Sequence, residues 1–295
     1  MKEDICSADL RRQADCADLE IKVVNAIEAV DATAFVIESQ ISHNDKLSFL
    51  RLQRLIRSRL DSYVYIEVGS HLGGTLAPHL ADPRCRMATS IDPRPLELPD
   101  ARGCSFVYNG NSTARMVEGL KSVLPEHCLA KLRTFDLDAA EVCHAEIKAR
   151  PDLVMIDGEH TIVAAFSDVM SLLPVVSENA VISFHDANVV ADAIRNLERF
   201  FTYAGIKFAT VFLPDKVCAI GLRGMADHIA TELGPHALDR DQFIANARNQ
   251  VIQDIALNYM KKFNSWKLVS PLWRLETHGQ RKARRRAASS NASNC

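Results

Sequence analysis

The run Tyr63-Val-Tyr-Ile-Glu-Val-Gly-Ser-His-Leu-Gly-Gly74 constrains this chain more than any other stretch. Residues 63–68 are β-branched, aromatic or apolar except for Glu67; they stop at Gly69, and a glycine pair then precedes an apolar run over 75–80. That is the pattern of a buried strand, a tight turn and a helix start. Glycine lets a backbone come close to a ligand, and the free amides of a helix start favour an anionic or electron-rich group. The stretch therefore reads either as a cofactor cradle or as an ordinary strand-to-helix turn.

Beyond Gly74 the chain repeats that logic. Strands are expected over 87–91, 132–135, 152–156 and 180–184, with a helix over 113–124 capped by Ser112 and another burying Ile162, Phe166, Val169 and Leu173 before Pro174. Ile206, Phe208, Thr210 and Phe212 alternate, Pro214-Asp-Lys216 turns, and 217–221 runs back, which is a hairpin. The expected fold is α/β: a doubly wound, mostly parallel seven-stranded Rossmann-like sheet ending in an antiparallel hairpin. Upstream, Leu19, Val23, Ile27 and Val30 share one helix face and Leu52, Leu55, Ile56 and Leu60 another, either side of Ser42–Asp45. Downstream, Ile244, Ala247, Val251, Ile255 and Tyr259 stack at helical spacing. The expected division is a helical cover over 1–60, the sheet domain over 61–223, a helical extension over 224–278 and a basic, disordered tail over 279–295. Nothing in the helical cover clusters polar groups, so packing or a dimer surface is its expected role.

With 295 residues, 47% of them hydrophobic, the chain can bury a large core, and a formal charge of −2 argues against a general nucleic-acid binder. Its eight cysteines form no C-x-x-C pair, which suggests reduced thiols rather than a zinc cluster or disulfide framework. No apolar run approaches membrane-spanning length, and a cytoplasmic protein without a cleaved signal is expected.

The polar groups gather at strand C-termini, where ligands of open α/β sheets sit. Asp92 lies 23 residues after Gly69 and can accept both hydroxyl protons of a ribose, implying a nucleoside-containing cofactor. A dinucleotide would want G-x-G-x-x-G, whereas position 71 is His and Glu67 lies just before the turn. A carboxylate there repels a pyrophosphate but suits the positive end of S-adenosylmethionine. Asp157, His185 and Asp186 would together bind Mg²⁺ or Mn²⁺, which would hold a substrate hydroxyl and lower its pKa. His160 is placed to take the proton. The competing reading makes Asp157 and Asp186 helix caps and the histidines plain loop residues.

The motifs Ile-Glu-Val-Gly-Ser-x-x-Gly-Gly, Asp92, Pro-Asp-Leu-Val-Met-Ile-Asp-Gly-Glu-His160 and Val-Ile-Ser-Phe-His-Asp186 resemble class I S-adenosylmethionine-dependent methyltransferases. Within that class they are most similar to the macrocin-type and other sugar O-methyltransferases, over about residues 60–222. The resemblance implies cofactor contacts from Glu67, Gly69, Ser70, Gly73, Asp92, Asp138 and Ala139. It also implies metal ligation by Asp157, His185 and Asp186, with His185 in place of an acid, and catalysis by His160 with Asp157. The implied reaction is O-methylation of a sugar or glycan-linked hydroxyl. A nicotinamide-dependent oxidoreductase and a catalytically silent binding protein of the same fold remain alternatives. The segment Asn264–Arg274 is similar to the ends of polysaccharide-assembly enzymes, so it is expected to contact a membrane surface or partner enzyme, or to fold back on its own domain. A homo-oligomer is also an expectation.

Overall fold

The structure, a computed structural model, describes residues 18–265. The expectations for Asn264–Arg274 beyond its first two residues, and for the basic tail, lie outside the described residues. Helix α1 covers residues 18–29 and α2 covers His43–Arg59. The sheet is formed by β1 (Tyr63–Val68), β2 (Cys85–Ile91), β5 (Leu132–Phe135), β6 (Leu153–Ile156), β7 (Val181–Phe184), β8 (Phe208–Phe212) and β9 (Cys218–Leu222). They lie in the order β5-β2-β1-β6-β7-β9-β8. All neighbours pair in parallel up to β7, and β9 then pairs antiparallel with both β7 and β8. The expected seven-stranded sheet with its terminal hairpin is the fold observed, the return arm of the hairpin lying inside and the outgoing arm at the edge.

The central strands β1, β6, β7 and β9 are buried on both faces, which explains their near-continuous apolar sequence. Side chains still alternate: Tyr63 and Tyr65 of β1 enter one core and Ile66 and Val68 the other. The first core lies beneath α1, α2, α3 (Leu76–Ala81) and α4 (Thr113–Val123), and the second beneath α6 (Ile162–Leu172) and α7 (Ala191–Tyr203). Val23, Ile27, Leu52, Leu55 and Ile56 are buried in the first core, so the N-terminal helices seal the sheet along the faces their spacing marks. Each large apolar side chain removed from water contributes about 1.5–3 kcal/mol before its entropy cost.

A buried polar network joins α2 to β1 and α3. Gln53 Nε2 donates to Tyr63 Oη at 2.9 Å, Tyr63 Oη donates to Asp82 at 3.0 Å, and Arg57 pairs with Asp82. His79 stacks on Tyr65 with ring centroids 3.7 Å apart, and burial pushes its pKa down to about 3, so it is a neutral core histidine.

Two regions differ from expectation. Residues 97–107 form a separate two-stranded antiparallel hairpin, β3 (Glu97–Asp100) and β4 (Cys104–Val107). Its Leu96, Phe106 and Val107 are exposed and Pro99 interrupts it, so it carries no alternating apolar face to betray it. Past the short helix α8 (Gly224–His228), helix α9 (Arg240–Ser265) buries Ile244 and Ala247, but Ile255 and Tyr259 are exposed. It rises off the sheet domain and holds the hairpin from outside, where Asn258 Nδ2 donates to the Arg102 carbonyl at 2.9 Å and Lys262 Nζ to that of Gly103 at 3.0 Å. Among the described residues, no helix is long and apolar enough to cross a membrane.

Candidate active site

A cavity of about 680 Å³ opens above the carboxyl ends of β1, β2, β5, β6 and β7. Its floor is the turn after β1. Gly69 has φ +86°, and a Cβ there would lie 2.1 Å from the Asp157 carbonyl oxygen, so only glycine lets this turn meet the turn after β6. His71 adopts φ +46°, an unusual conformation for a residue other than glycine. The Ser70 hydroxyl is buried in the cavity wall with no protein partner. A buried hydroxyl left unpaired costs about 1–3 kcal/mol, which a ligand accepting or donating there would recover.

Asp92, at the end of β2, is positioned by its neighbours. Its Oδ2 accepts from the His71 amide at 2.9 Å and its Oδ1 from the Arg94 amide at 2.8 Å. The Arg94 guanidinium lies 3.2 Å away, itself braced by Asn111 and Thr113. A carboxylate offers about four lone-pair sites, so acceptor capacity remains for ribose hydroxyls. Asp138 and Ala139 line the opposite wall with Asp168, a residue that sequence patterning left inside an ordinary helix. Burial, then Asp138 and Glu159, push the Asp168 pKa up to about 7. Gly73 is not part of the cavity lining; a Cβ on it would meet Met116 and Leu120 at 3.0 and 3.2 Å, so its role is to shape the turn against α4.

Glu67 lines the floor but is fully buried, accepting from Tyr65 Oη at 3.0 Å and from the Thr75 hydroxyl. Burial raises its pKa to about 8; the Thr75 hydrogen bond opposes this and the nearby Asp157 adds to it. Burial therefore favours its neutral form, whereas its type in the sequence suggested a carboxylate.

The ends of β6 and β7 bring the remaining expected residues together. Asp157 Oδ1 lies 3.0 Å from His185 Nδ1 and 3.2 Å from His160 Nε2. Asp186 Oδ2 lies 3.5 Å from His160 Nε2 and 3.8 Å from His185 Nδ1. One donor atom from each of Asp157, His185 and Asp186 falls within 4.8 Å of the others, an arrangement of two hard oxygens and one imidazole nitrogen that fits a divalent ion. Asp157 and Asp186 do not serve as N-caps: Thr161 caps α6, and α7 has no side-chain cap. Asp186 instead adopts φ +46° and pairs with Lys216 Nζ at 2.9 Å.

Three partners of this cluster were not visible in the sequence. Asp100 of β3 approaches His160 Nδ1 at 3.7 Å, and the Ala101 amide donates to the His160 carbonyl at 2.9 Å. Lys216 comes from the β8–β9 turn. Asp45 comes from the first turn of α2, the segment that was expected only to pack; its Oδ2 faces His185 Nε2 at 3.4 Å. The one legible trace of Asp45 was the Ser42-x-x-Asp45 capping pattern, which does form: Ser42 Oγ accepts from the Asp45 amide and Asp45 Oδ2 from the Ser42 amide.

Burial works against the charge on both histidines, but the surrounding carboxylates outweigh it. His160 is raised to about 9 by Asp100, Asp157 and Asp186, and His185 to about 10 by Asp157, Asp45 and Asp186. Burial likewise opposes ionisation of Asp157, yet the two histidines hold it well below the usual carboxylate range. The surrounding carboxylates thus favour the imidazolium form of His160, and offsetting their field would free Nε2 to accept a proton. Among the described residues, Glu20, His127 and Cys128 form one further group of convergent donors, between α1 and α5 (Glu126–Leu129), remote in sequence from the cavity's lining.

Comparison with known proteins agrees with this geometry. Residues 66–187 match the model of a family described as a methyltransferase domain. A comparison with curated proteins gives no match. Similar solved structures include the calicheamicin methyltransferase CalS11, with 14% identity over 70% of this chain and 92% of that one and a TM-score of 0.45. They also include the methyltransferase MycE of the mycinamycin biosynthetic pathway, in complex with Mg, SAH and mycinamycin VI, with 15% identity over 58% and 48% of the chains and a TM-score of 0.41. The N-methyltransferase NodS from Bradyrhizobium japonicum WM9, in complex with S-adenosyl-L-homocysteine, shows 13% identity over 60% and 85% and a TM-score of 0.37. Likeness at that level carries no argument about substrate; the family match, which covers the turn after β1 through the end of β7, carries the assignment. Residues 66–187, the centre of this chain, are similar to that methyltransferase domain and span the parallel core of the seven-stranded sheet.

Proposed function

We propose that this protein transfers the methyl group of S-adenosylmethionine to a hydroxyl of a sugar or glycan-linked acceptor, with a divalent ion held by Asp157, His185 and Asp186. The observation that carries the reading is the convergence of those donors, with His160 beside them, on the turn that Gly69 makes against the Asp157 backbone.

The bound cofactor supplies an electrophilic methyl group on a sulfonium, which leaves as S-adenosylhomocysteine when an oxygen takes the carbon. Asp92 would hold the ribose, the Ser70 hydroxyl and the turn amides the amino-acid end, and Asp138 with Ala139 the base. Glu67 gains charge when a cation is seated near it, because the attraction offsets its burial. A divalent ion would supply Lewis acidity toward the acceptor hydroxyl. His160 presents Nε2 toward the cluster and Nδ1 toward Asp100, so it would take the hydroxyl proton at Nε2. With Asp157 and Asp186 neutralised, two of the three acids raising its pKa are offset, bringing it nearer neutrality, where a general base works best. Lys216 and Arg102 at the mouth, with Tyr108 and Glu38, offer the hydrogen-bonding and stacking groups a polyhydroxylated acceptor uses.

Isothermal titration with S-adenosylhomocysteine and with NAD tests the cofactor. Methyl transfer to a panel of sugar acceptors, after chelation and again after Mg²⁺ or Mn²⁺ is restored, tests the rest. Cofactor binding with no transfer to any hydroxyl would leave a silent binding protein; transfer that is indifferent to chelation would remove the ion.

A further inference from the structure

We infer that Asp45, on the N-terminal helix α2, is a positioning residue for the active site: it holds His185 by Nε2 so that Nδ1 is presented as a ligand beside Asp157 and Asp186. The inference rests on the metal reading proposed above and extends it to a residue 140 positions away in sequence.

The geometry has three parts. First, the two nitrogens of His185 face different carboxylates: Nε2 meets Asp45 Oδ2 at 3.4 Å, while Nδ1 meets Asp157 Oδ1 at 3.0 Å. A ligating histidine needs its second nitrogen tied to an acceptor to fix the ring and its tautomer, and a carboxylate in that place also makes the ligating nitrogen more basic. Second, Asp45 is itself fixed. It is fully buried, its Oδ1 accepts from the Lys216 amide at 3.0 Å, and its Oδ2 also accepts from the Ser42 amide at 3.2 Å. A helix-capping acid would normally sit in solvent; this one is sealed between α2 and the β8–β9 turn. Third, the same turn is clamped a second time, since Ser42 Oγ donates to Asp215 Oδ2 at 2.6 Å and Asn44 Nδ2 to Asp215 Oδ1 at 3.3 Å. Both sets of contacts join the start of α2 to the same turn, but of these residues Asp45 is the one whose side chain meets the His185 ring.

The test is Mn²⁺ binding to the full chain by calorimetry, with electron spin-echo spectroscopy for imidazole nitrogen coupling to the ion, and S-adenosylhomocysteine titrated in parallel. Asp45→Asn keeps the shape but puts an amide where three donors converge. Its Mn²⁺ affinity should fall about 10–100-fold and its imidazole coupling weaken, with S-adenosylhomocysteine affinity unchanged within about twofold. Asp45→Glu guards against a folding defect, because it retains the capping-box acid while displacing the carboxylate by one methylene; it should show the same loss. Ser42→Ala and Asp215→Ala loosen the clamp yet leave Asp45 on His185, and they should bind Mn²⁺ as the wild type does. Asp45 variants that bind Mn²⁺ normally, or a Ser42→Ala loss equal to that of Asp45→Asn, would overturn the assignment. A wild type that binds S-adenosylhomocysteine but no Mn²⁺ overturns both it and the metal reading, whereas one that binds Mn²⁺ but no S-adenosylhomocysteine overturns methyl transfer and leaves Asp45 standing.

Discussion

The two ends of the cavity are built on different principles. At the end proposed for the cofactor, Asp92 is fixed by the amides of His71 and Arg94, and Glu67 by Tyr65 and Thr75, each bond spanning 21 residues of sequence or fewer. At the end proposed for the chemistry, Asp157 meets His160 and His185; Asp100 of the inserted hairpin backs His160, Asp45 of an added helix backs His185, and Lys216 of the terminal turn holds Asp45 and Asp186. The first end is local and should lose one function at a time. The second is a mesh in which each carboxylate serves at least two partners, so a break at its centre should cost far more than one at its rim.

The largest effect should follow from breaking the mesh at its centre. Asp157→Asn removes the acceptor shared by His160 and His185; methyl transfer is expected to drop about 10³-fold or more, within the range ascribed to a lost acid–base group. S-adenosylhomocysteine affinity should change little, and equal losses of binding and turnover would erase the distinction between the two ends. At the cofactor end, Asp92→Ala should raise the dissociation constant for S-adenosylhomocysteine about 10–100-fold, the cost of a charged hydrogen-bond acceptor, with turnover at saturating cofactor largely kept.

Glu67 offers a pH test of the local end. Its folded pKa of about 8 lies above its unfolded value, so it binds a proton in the folded state where the unfolded chain has released one. Its contribution to stability is thus fully present below about pH 4.5 and is lost as pH rises through about 8. Glu67→Gln should unfold at a higher temperature than the wild type at about pH 9 but show no such advantage at about pH 4, as thermal denaturation would record. The smallest change should come from Asp100→Asn, which touches His160 only through Nδ1. In chelator-treated protein the His160 titration midpoint, followed by NMR, should move down from about 9 toward neutrality, while turnover falls by less than about tenfold.

The same contrast explains what the sequence disclosed. Glu67, Gly69, Ser70, Asp92, Asp157, His160, His185 and Asp186 were legible because a parallel sheet delivers consecutive strand ends to one edge, and burial makes those strands conspicuous. Asp138 and Ala139, in the turn after β5, were implied by the family resemblance. Asp45, Asp100 and Lys216 were not legible, since each lies in a segment with a sufficient local explanation: a capping box, a short proline-containing strand and a turn after Pro214. Their second role arises only when elements far apart in the chain meet. The ionisation of Glu67 was misread for a related reason, because its type was visible and its complete burial was not.

Gly69 carries a lesson for anyone who would re-engineer this protein. The Asp157 carbonyl occupies the space in which a side chain at 69 would begin, so the loop proposed to receive the methyl donor and the loop that bears Asp157 share one surface. Transplanting either loop alone from a homologue would import a shape its neighbour was not cut to match; the pair must travel together.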